Sequence, residues 1–317
     1  MHITVQKPSK KGDTKECKFV ANDAMTVEQL KDLIAVEFKV PPNSQALKFA
    51  NPKWKEGDSK GDKVVRLNKL LETVGELKAK GLSPSVPLEL KNLGMQVPYR
   101  WFFLTEYFGP MPIMAYLSTR PELVYGKGAA DAPLPLVTSL AVYAFILHFV
   151  KRELETLFVH KFSKPSVPVF NIVRNSAYYW GFAAAVAYFV CHPQATPVSE
   201  NLGLIALGGM AVMELGNLAV HLWFSMQRKA DKDAARPVPA GSLFFVSCPN
   251  YFFEIAAWCF FSVMVNNHPA SWAFTLVGGG QMALWAMDRH KAYIKQEKKE
   301  GGPPVARRRS ALVPFLW

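Results

Sequence analysis

The pattern of apolar and polar positions divides the chain in two. From Trp101 onward there are six apolar runs, at roughly 101–118, 134–150, 177–191, 202–223, 243–265 and 270–287, and before it there are none. Several of these runs are near the length of about 20 residues that an α-helix needs to cross a bilayer, although the third is short. A backbone in lipid must satisfy its own hydrogen bonds, so the runs are expected to be helices. The N-terminal stretch has a different rhythm. HITVQKP and ECKFVAN alternate like a pair of strands around the turn-rich SKKGDTK. Thr26 is placed to cap a helix in DAMTVEQLKDLIAVEF, with Val27, Leu30, Leu33, Ile34 and Phe38 on one side. ALKFA and SVPLELKNL supply two more short strands. Strand, strand, helix, strand, strand is the order of a ubiquitin-like β-grasp. The expected fold is therefore a multi-span α-helical membrane protein behind an N-terminal ubiquitin-like β-grasp domain. It should have about six transmembrane helices, with seven as the alternative count. The expected boundaries are 1–92 for the head and 93–317 for the membrane body.

Charge orients the runs. The hydrophilic stretches 151–176, 224–242 and 288–317 carry five, four and eight Lys+Arg, whereas 119–133, 192–201 and 266–269 carry two, none and none. That alternation fits six spans with both termini cytosolic, since an excess of cations marks the cytosolic side. No signal peptide precedes the polar N-terminus, so the first apolar run is expected to direct insertion. The net charge of +12 is no nucleic-acid signature, because the basic residues lie between apolar runs and not on one polar face. The basic KKEGGPPVARRR tail is expected near the anionic cytosolic surface. Cys17, Cys191, Cys248 and Cys259 show no CxxC spacing and read as lone core thiols.

Polar residues inside the apolar runs are few, and such residues usually face a cavity and do work. The first run holds Glu106 and is interrupted by Gly109, Pro110 and Pro112. The fourth holds Glu214, Asn217 and His221, with Arg228 just beyond, on one helical stripe by their spacing of 3, 4 and 7. The fifth holds Pro249, Asn250, Tyr251 and Glu254, and Pro249 is expected to break its helix. Two polar stripes ending on the basic side predict a wet pocket opening to the cytosol. The competing reading is polar contact between helices. Seven scattered histidines with no HxxxH or HxxHH exclude a di-iron oxygenase, and no metal site is expected. GxSxG and a strand-linked GxGxxG are both absent, so a nucleotide cofactor would bind through Arg, Asn and Tyr side chains and not a Rossmann loop.

LGMQVPYRWFFLTEYFGP, KRELETLFVHKFS, RNSAYYWGFA, SCPNYFFE, RHKAYIK and the terminal LVPFLW together resemble the trans-2-enoyl-CoA reductases of very-long-chain fatty acid elongation, a branch of the steroid 5α-reductase family. The resemblance runs along essentially the whole chain, and the ubiquitin-like head fits the enoyl-CoA reductase branch. It implies an NADPH-dependent, multi-pass enzyme of the endoplasmic reticulum membrane. Such an enzyme reduces the 2,3-double bond of a long-chain trans-2-enoyl-CoA, the last step of each elongation cycle. Membrane lipid and other elongation-cycle enzymes are the implied partners. The resemblance places catalytic roles on Tyr251, Glu106, Lys151 and Gln96. Tyr251 is the expected proton donor to C2, Glu106 an orienting or relay group, and Lys151 a stabiliser of the enolate or a CoA-phosphate contact. Cofactor contacts fall on Asn217, Arg228, Asn250, Glu254 and Tyr293, with His290 near the phosphates. His221 joins the cofactor contacts at the place where steroid reductases have an Asp, and EGGPPVARRR replaces the family's DYP stretch. The rival readings are a steroid or sterol double-bond reductase, which would not need the head, and a non-enzymatic ubiquitin-like adaptor, which would not need buried Glu106, Glu214 or Glu254.

Overall fold

Alternation in the first twenty residues builds a hairpin. Strand β1 (His2–Pro8) pairs antiparallel with β2 (Thr14–Val20), with Ile3 opposite Phe19 and Val5 opposite Cys17. Ile3 and Val5 point into the core, as the period of two requires. The computed structural model describes residues 1–8, 13–53, 55, 63–162, 165–227, 238–301 and 304–314. Helix α1 (Val27–Phe38) starts at Thr26, whose side chain accepts from the Gln29 backbone while Gln29 accepts from the Thr26 backbone. This reciprocal capping box satisfies two N–H groups that the helix leaves open. Val27, Leu30, Ile34 and Phe38 are buried. Leu33, expected on the same side, is 42% exposed, because it lies about 100° round the helix from the centre of that stripe.

Strands β3 (Gln45–Ala50), β4 (Val64–Arg66) and β5 (Leu88–Asn92) complete a five-stranded sheet in the order β2-β1-β5-β3-β4. The β1–β5 pair is parallel and the others are antiparallel. Helix α2 (Val74–Ala79) carries a second capping box, between Thr73 and Glu76. Neither β4 nor α2 was expected from the alternation, since three strand residues or six helical ones leave too little periodicity to read. A two-stranded pair, β6 (Gln96–Pro98) with β7 (Ser166–Pro168), belongs to the same compact unit, which spans Met1–Pro98 and Ser166–Val169.

The second unit, Tyr99–Pro165 and Phe170–Trp317, is helical. The first apolar run is two helices, α3 (Tyr99–Phe108) and α4 (Pro110–Ser118), separated at Gly109. A Cβ on Gly109 would collide with the Trp180 indole, so any larger residue there requires that ring to move. A short α5 (Glu122–Tyr125) precedes α6 (Leu136–Leu154), which runs into a π-helical turn, Glu155–Val159. Then come α7 (Val169–Val190), α8 (Glu200–Met226), α9 (Pro249–Met264) and α10 (Pro269–Glu300). Phe145 and Phe149 of α6, Met210 of α8 and Trp258 and Phe261 of α9 form the centre of the core. Helix α8 lies close on α9 because Gly209 and Gly216 sit under the rings of Phe260 and Phe253.

One expectation changes here. Pro249 does not break a helix: it is the first residue of α9, where a missing N–H costs no intrahelical bond. Residues 242–248 before it form a short 3₁₀ turn and an irregular link. Among the described residues, one helix, α8, is long and apolar enough by composition to cross a membrane, with a mean hydropathy of 1.6 over its best window. The other apolar runs differ for identifiable reasons. The first is split at Gly109, the fifth gives only 16 helical residues, and α6 carries Lys151, Arg152 and Glu153 within its 19 residues. Helices α7 and α10 dilute their apolar residues with Asn171, Arg174 and Asn175 or with Gly278–Gly280 and Gln281.

Candidate active site

The last turns of α6 carry His148, Lys151 and Arg152, and Glu155 opens the π-helical turn that follows. A spacing of 3, 4 and 7 puts all four on one helix face. That face meets the polar stripe of α8, Glu214, Asn217 and His221, and the start of α9, and the three sets of side chains bond to one another. His148 Nδ1 is 2.7 Å from Glu214 Oε1, and its Nε2 is 3.4 Å from Glu254 Oε1. Lys151 Nζ lies 2.6 Å from Glu214 Oε2 and donates to Asn217 Oδ1 at 2.8 Å. Asn217 in turn donates to the Asn250 carbonyl at 2.9 Å. Glu254 Oε1 also accepts from the Trp258 indole at 3.2 Å.

A second cluster continues one turn further along. Arg152 donates to Glu155 Oε2 at 2.5 Å and to the Tyr107 hydroxyl at 3.0 Å, and its guanidinium lies over the Tyr107 ring. His221 Nδ1 is 3.1 Å from Glu155 Oε2, and Lys151 is 3.6 Å from Glu155 Oε1. Burial alone would raise the Glu155 carboxyl. The His221 hydrogen bond and the charges of Arg152, His221 and Lys151 outweigh it and hold the group well below the usual carboxylate range. His160 packs edge-to-face on His221, with ring centres 4.9 Å apart. Burial, reinforced by the charges of Arg152 and His221, pushes His160 down to about 3 and keeps it neutral. Ligand atoms of Glu155, His160 and His221 come within 4.8 Å of one another, so histidines scattered in sequence meet in space. Arg152 already sets a fixed cation on that carboxylate, and the cluster is built as an ion pair.

The remaining expected residues fall elsewhere. Glu106, only 2% exposed, accepts from Asn175 of α7 at 3.0 Å. Tyr251 lies on the α10 side of α9, its ring 6.2 Å from that of Trp285, beside Cys248, Ala286, Ala311 and Leu312. His290 Nδ1 is 2.7 Å from the Ser247 hydroxyl, and Tyr293 is buried on α10. Burial, with the nearby Arg309 charge, lowers the His290 pKa. Gln96 belongs to the N-terminal unit, where it donates to the carbonyls of Leu93 and Gly94 and accepts from Ser166. Arg228 lies outside the described residues. Thus Lys151, Asn217, Asn250, Glu254 and His221 converge, while Glu106, Tyr251, His290 and Tyr293 occupy neighbouring positions in the same unit.

The expected open pocket takes a different form, because the polar stripes are engaged with charges on α6. A cavity of about 330 Å³ on α9 and α10 is lined by apolar residues such as Phe252, Ile255, Cys259 and Trp272, and one of about 450 Å³ lies beside His192 and His268. Neither is lined by the polar array. Sequence reasoning missed His148, Arg152, Glu155 and Tyr107. The available signal was the 3, 4, 7 spacing of charged groups where the second apolar run ends.

Residues 165–317 match the family described as 3-oxo-5-alpha-steroid 4-dehydrogenase. The chain is 42% identical over 264 residues to a candidate enoyl-CoA reductase of Trypanosoma brucei brucei, covering 83% of this chain and 85% of the relative. It is 40% identical over 242 residues to a probable very-long-chain enoyl-CoA reductase of Caenorhabditis elegans, covering 74% and 77%. It is 34% identical over 302 residues to the very-long-chain enoyl-CoA reductase of Dictyostelium discoideum, covering 94% of each.

Proposed function

Because the chain belongs to the 3-oxo-5-alpha-steroid 4-dehydrogenase family, alongside enoyl-CoA reductases, we propose that it reduces the 2,3-double bond of long- and very-long-chain trans-2-enoyl-CoA with NADPH. This would be the last step of the fatty acid elongation cycle. The observation that carries the reading is the buried array in which Glu254, His148, Glu214, Lys151, Asn217 and the Asn250 carbonyl are linked in that order across α6, α8 and α9.

The donor set fits a nicotinamide dinucleotide. Glu254, Asn250 and Asn217 offer a carboxylate and two amides for its nicotinamide half. His290 and Arg309 are cations or donors beside the uncapped start of α9, and the Arg309 Nε is buried without a hydrogen-bond partner. Guanidinium geometry suits phosphate, and Arg228 and Tyr293 join this set by their motif positions. Bound NADPH supplies a hydride to C3 of the enoyl thioester. Tyr251 then gives its phenolic proton to C2, as a positioned acid does for a developing enolate. Lys151 places an ammonium to stabilise that enolate or the CoA phosphate. Glu106 orients the thioester or relays the proton.

The membrane body is read as six spans with both termini cytosolic, in the endoplasmic reticulum. Large apolar side chains exposed on several helices support this, including Phe108, Leu147, Phe170, Ile205, Leu215 and Leu276. Such a wide apolar surface matches contact with lipid. The sheet order and parallel β1–β5 pair support a ubiquitin-like β-grasp for the head, and we assign residues 1–92 and 93–317 as its domains. Other elongation-cycle enzymes are the expected neighbours.

The test is a substrate panel. The purified full chain is given NADPH with trans-2-hexadecenoyl-CoA or with a 3-oxo-4-ene steroid, and NADPH absorbance is followed. The reading expects oxidation with the enoyl-CoA alone; oxidation with the steroid alone would replace it.

A further inference from the structure

We propose that His148 is a positioning residue that clamps the carboxylates of Glu214 and Glu254 and, through Glu214, fixes Lys151. The proposal rests on the enoyl-CoA reductase reading above.

His148 is 4% exposed and lies at the centre of the helical unit, on α6. Its two nitrogens face two carboxylates on different helices, Glu214 of α8 at 2.7 Å and Glu254 of α9 at 3.4 Å. The 2.7 Å contact is a hydrogen bond and the 3.4 Å contact is within ion-pair distance, so one ring bonds the Glu214 carboxylate and faces that of Glu254.

The ring itself cannot swing. Trp258 and Phe149 pack against it edge-to-face, with ring centres 4.6 and 5.0 Å away. The Trp258 indole also donates to the same Glu254 oxygen that His148 faces. Glu254 is thereby held from two directions. On the other side, Glu214 uses one oxygen for His148 and the other for Lys151. Removing the imidazole leaves two buried carboxylates with one fewer partner, and Lys151 is the cation already on one of them. Its ammonium would then leave the Asn217 contact at which it stands. The expected damage is to the placement of groups around the reacting atoms, with the binding surfaces left in place.

The test compares His148→Phe, His148→Gln and His148→Asn in the full chain, purified in detergent, with rates expressed per NADPH-binding site. A displacement of about 1 Å in catalytic groups costs about 10²-fold, so His148→Phe should lower kcat by about 10- to 100-fold with KM for the enoyl-CoA within about threefold. The Asn amide nitrogen falls where the imidazole Nδ1 stands and the Gln nitrogen where Nε2 stands, so His148→Asn, which keeps the bond to Glu214, should recover several-fold over both other variants. Unchanged kcat per site in His148→Phe overturns the proposal, and so does a His148→Gln rate equal to that of His148→Asn, which decides the matter even where the Phe variant does not fold. A wild-type chain inert toward enoyl-CoA removes the underlying reading and the proposal with it. An active wild type with unaltered variants removes the proposal alone.

Discussion

Asn217 links two helices through one amide, and replacing it with leucine removes both halves of the link at nearly constant volume. Asn217 is 1% exposed, so no water replaces what is lost. The Asn250 carbonyl loses a neutral donor at 2.9 Å, and Lys151 loses a charge-assisted acceptor at 2.8 Å while keeping Glu214. A neutral bond contributes about 1 kcal/mol and one to a charged group about 1.5–3 kcal/mol, giving a loss of about 3 kcal/mol. At about 2–4 °C per kcal/mol, the thermal midpoint in detergent should fall by roughly 6–12 °C. Activity should fall further than stability suggests. With one of its tethers gone, the Lys151 ammonium can wander, and kcat per folded enzyme should drop by about 10²-fold. Asn217→Asp separates the two halves: it keeps an acceptor for Lys151 but sets an anion against the Asn250 carbonyl. Thermal unfolding and initial rates of NADPH oxidation on the same preparations check both numbers. A leucine variant within about 2 °C and threefold of wild type would refute the linkage, as those margins amount to less than 1 kcal/mol.

The other predictions are narrower. Tyr251→Phe keeps the ring that packs toward Trp285 and removes only the hydroxyl; reduction of trans-2-hexadecenoyl-CoA should fall at least about 10²-fold, within the range of general acid catalysis, and a rate near wild type would sink the proton-donor assignment. His160 titrates at about 3 when folded against 6.5 as its ordinary value, so between those values the unfolded chain binds the extra proton and stability falls as pH falls. One such group contributes at most about 1.4 kcal/mol per pH unit. The thermal midpoint of His160→Gln should therefore drop less than that of wild type between pH ~6.5 and ~4.5; equal slopes would contradict it.

How much was legible in the sequence follows from the range over which each signal acts. The capped helix α1 and the strands β1, β2, β3 and β5 were legible because capping and alternation are local. The stripe of Glu214, Asn217 and His221 was legible because 3.6-residue periodicity is local too. What those residues touch was not. Their partners His148, Lys151, Arg152 and Glu155 lie 63 to 69 positions away, and only packing of α6 on α8 brings them together. Pro249 misled for the opposite reason. An apolar run reads the same whether a proline lies within a helix or opens it, and the irregular link over residues 245–248 carries no local turn signal. Motif resemblance named Lys151 and Asn217 separately, but it could not reveal that they meet at 2.8 Å or that His148, one turn earlier, holds the carboxylate beside them.

The central claim is transfer of hydride to C3 of an enoyl thioester within this chain. The purified protein should be incubated with trans-2-hexadecenoyl-CoA and NADPH deuterated at the transferring position of C4, and the product analysed by mass spectrometry and NMR. The account predicts saturated acyl-CoA carrying one deuterium at C3 and a solvent-derived hydrogen at C2. Deuterium at C2, or no saturated product while the cofactor is bound, would contradict it.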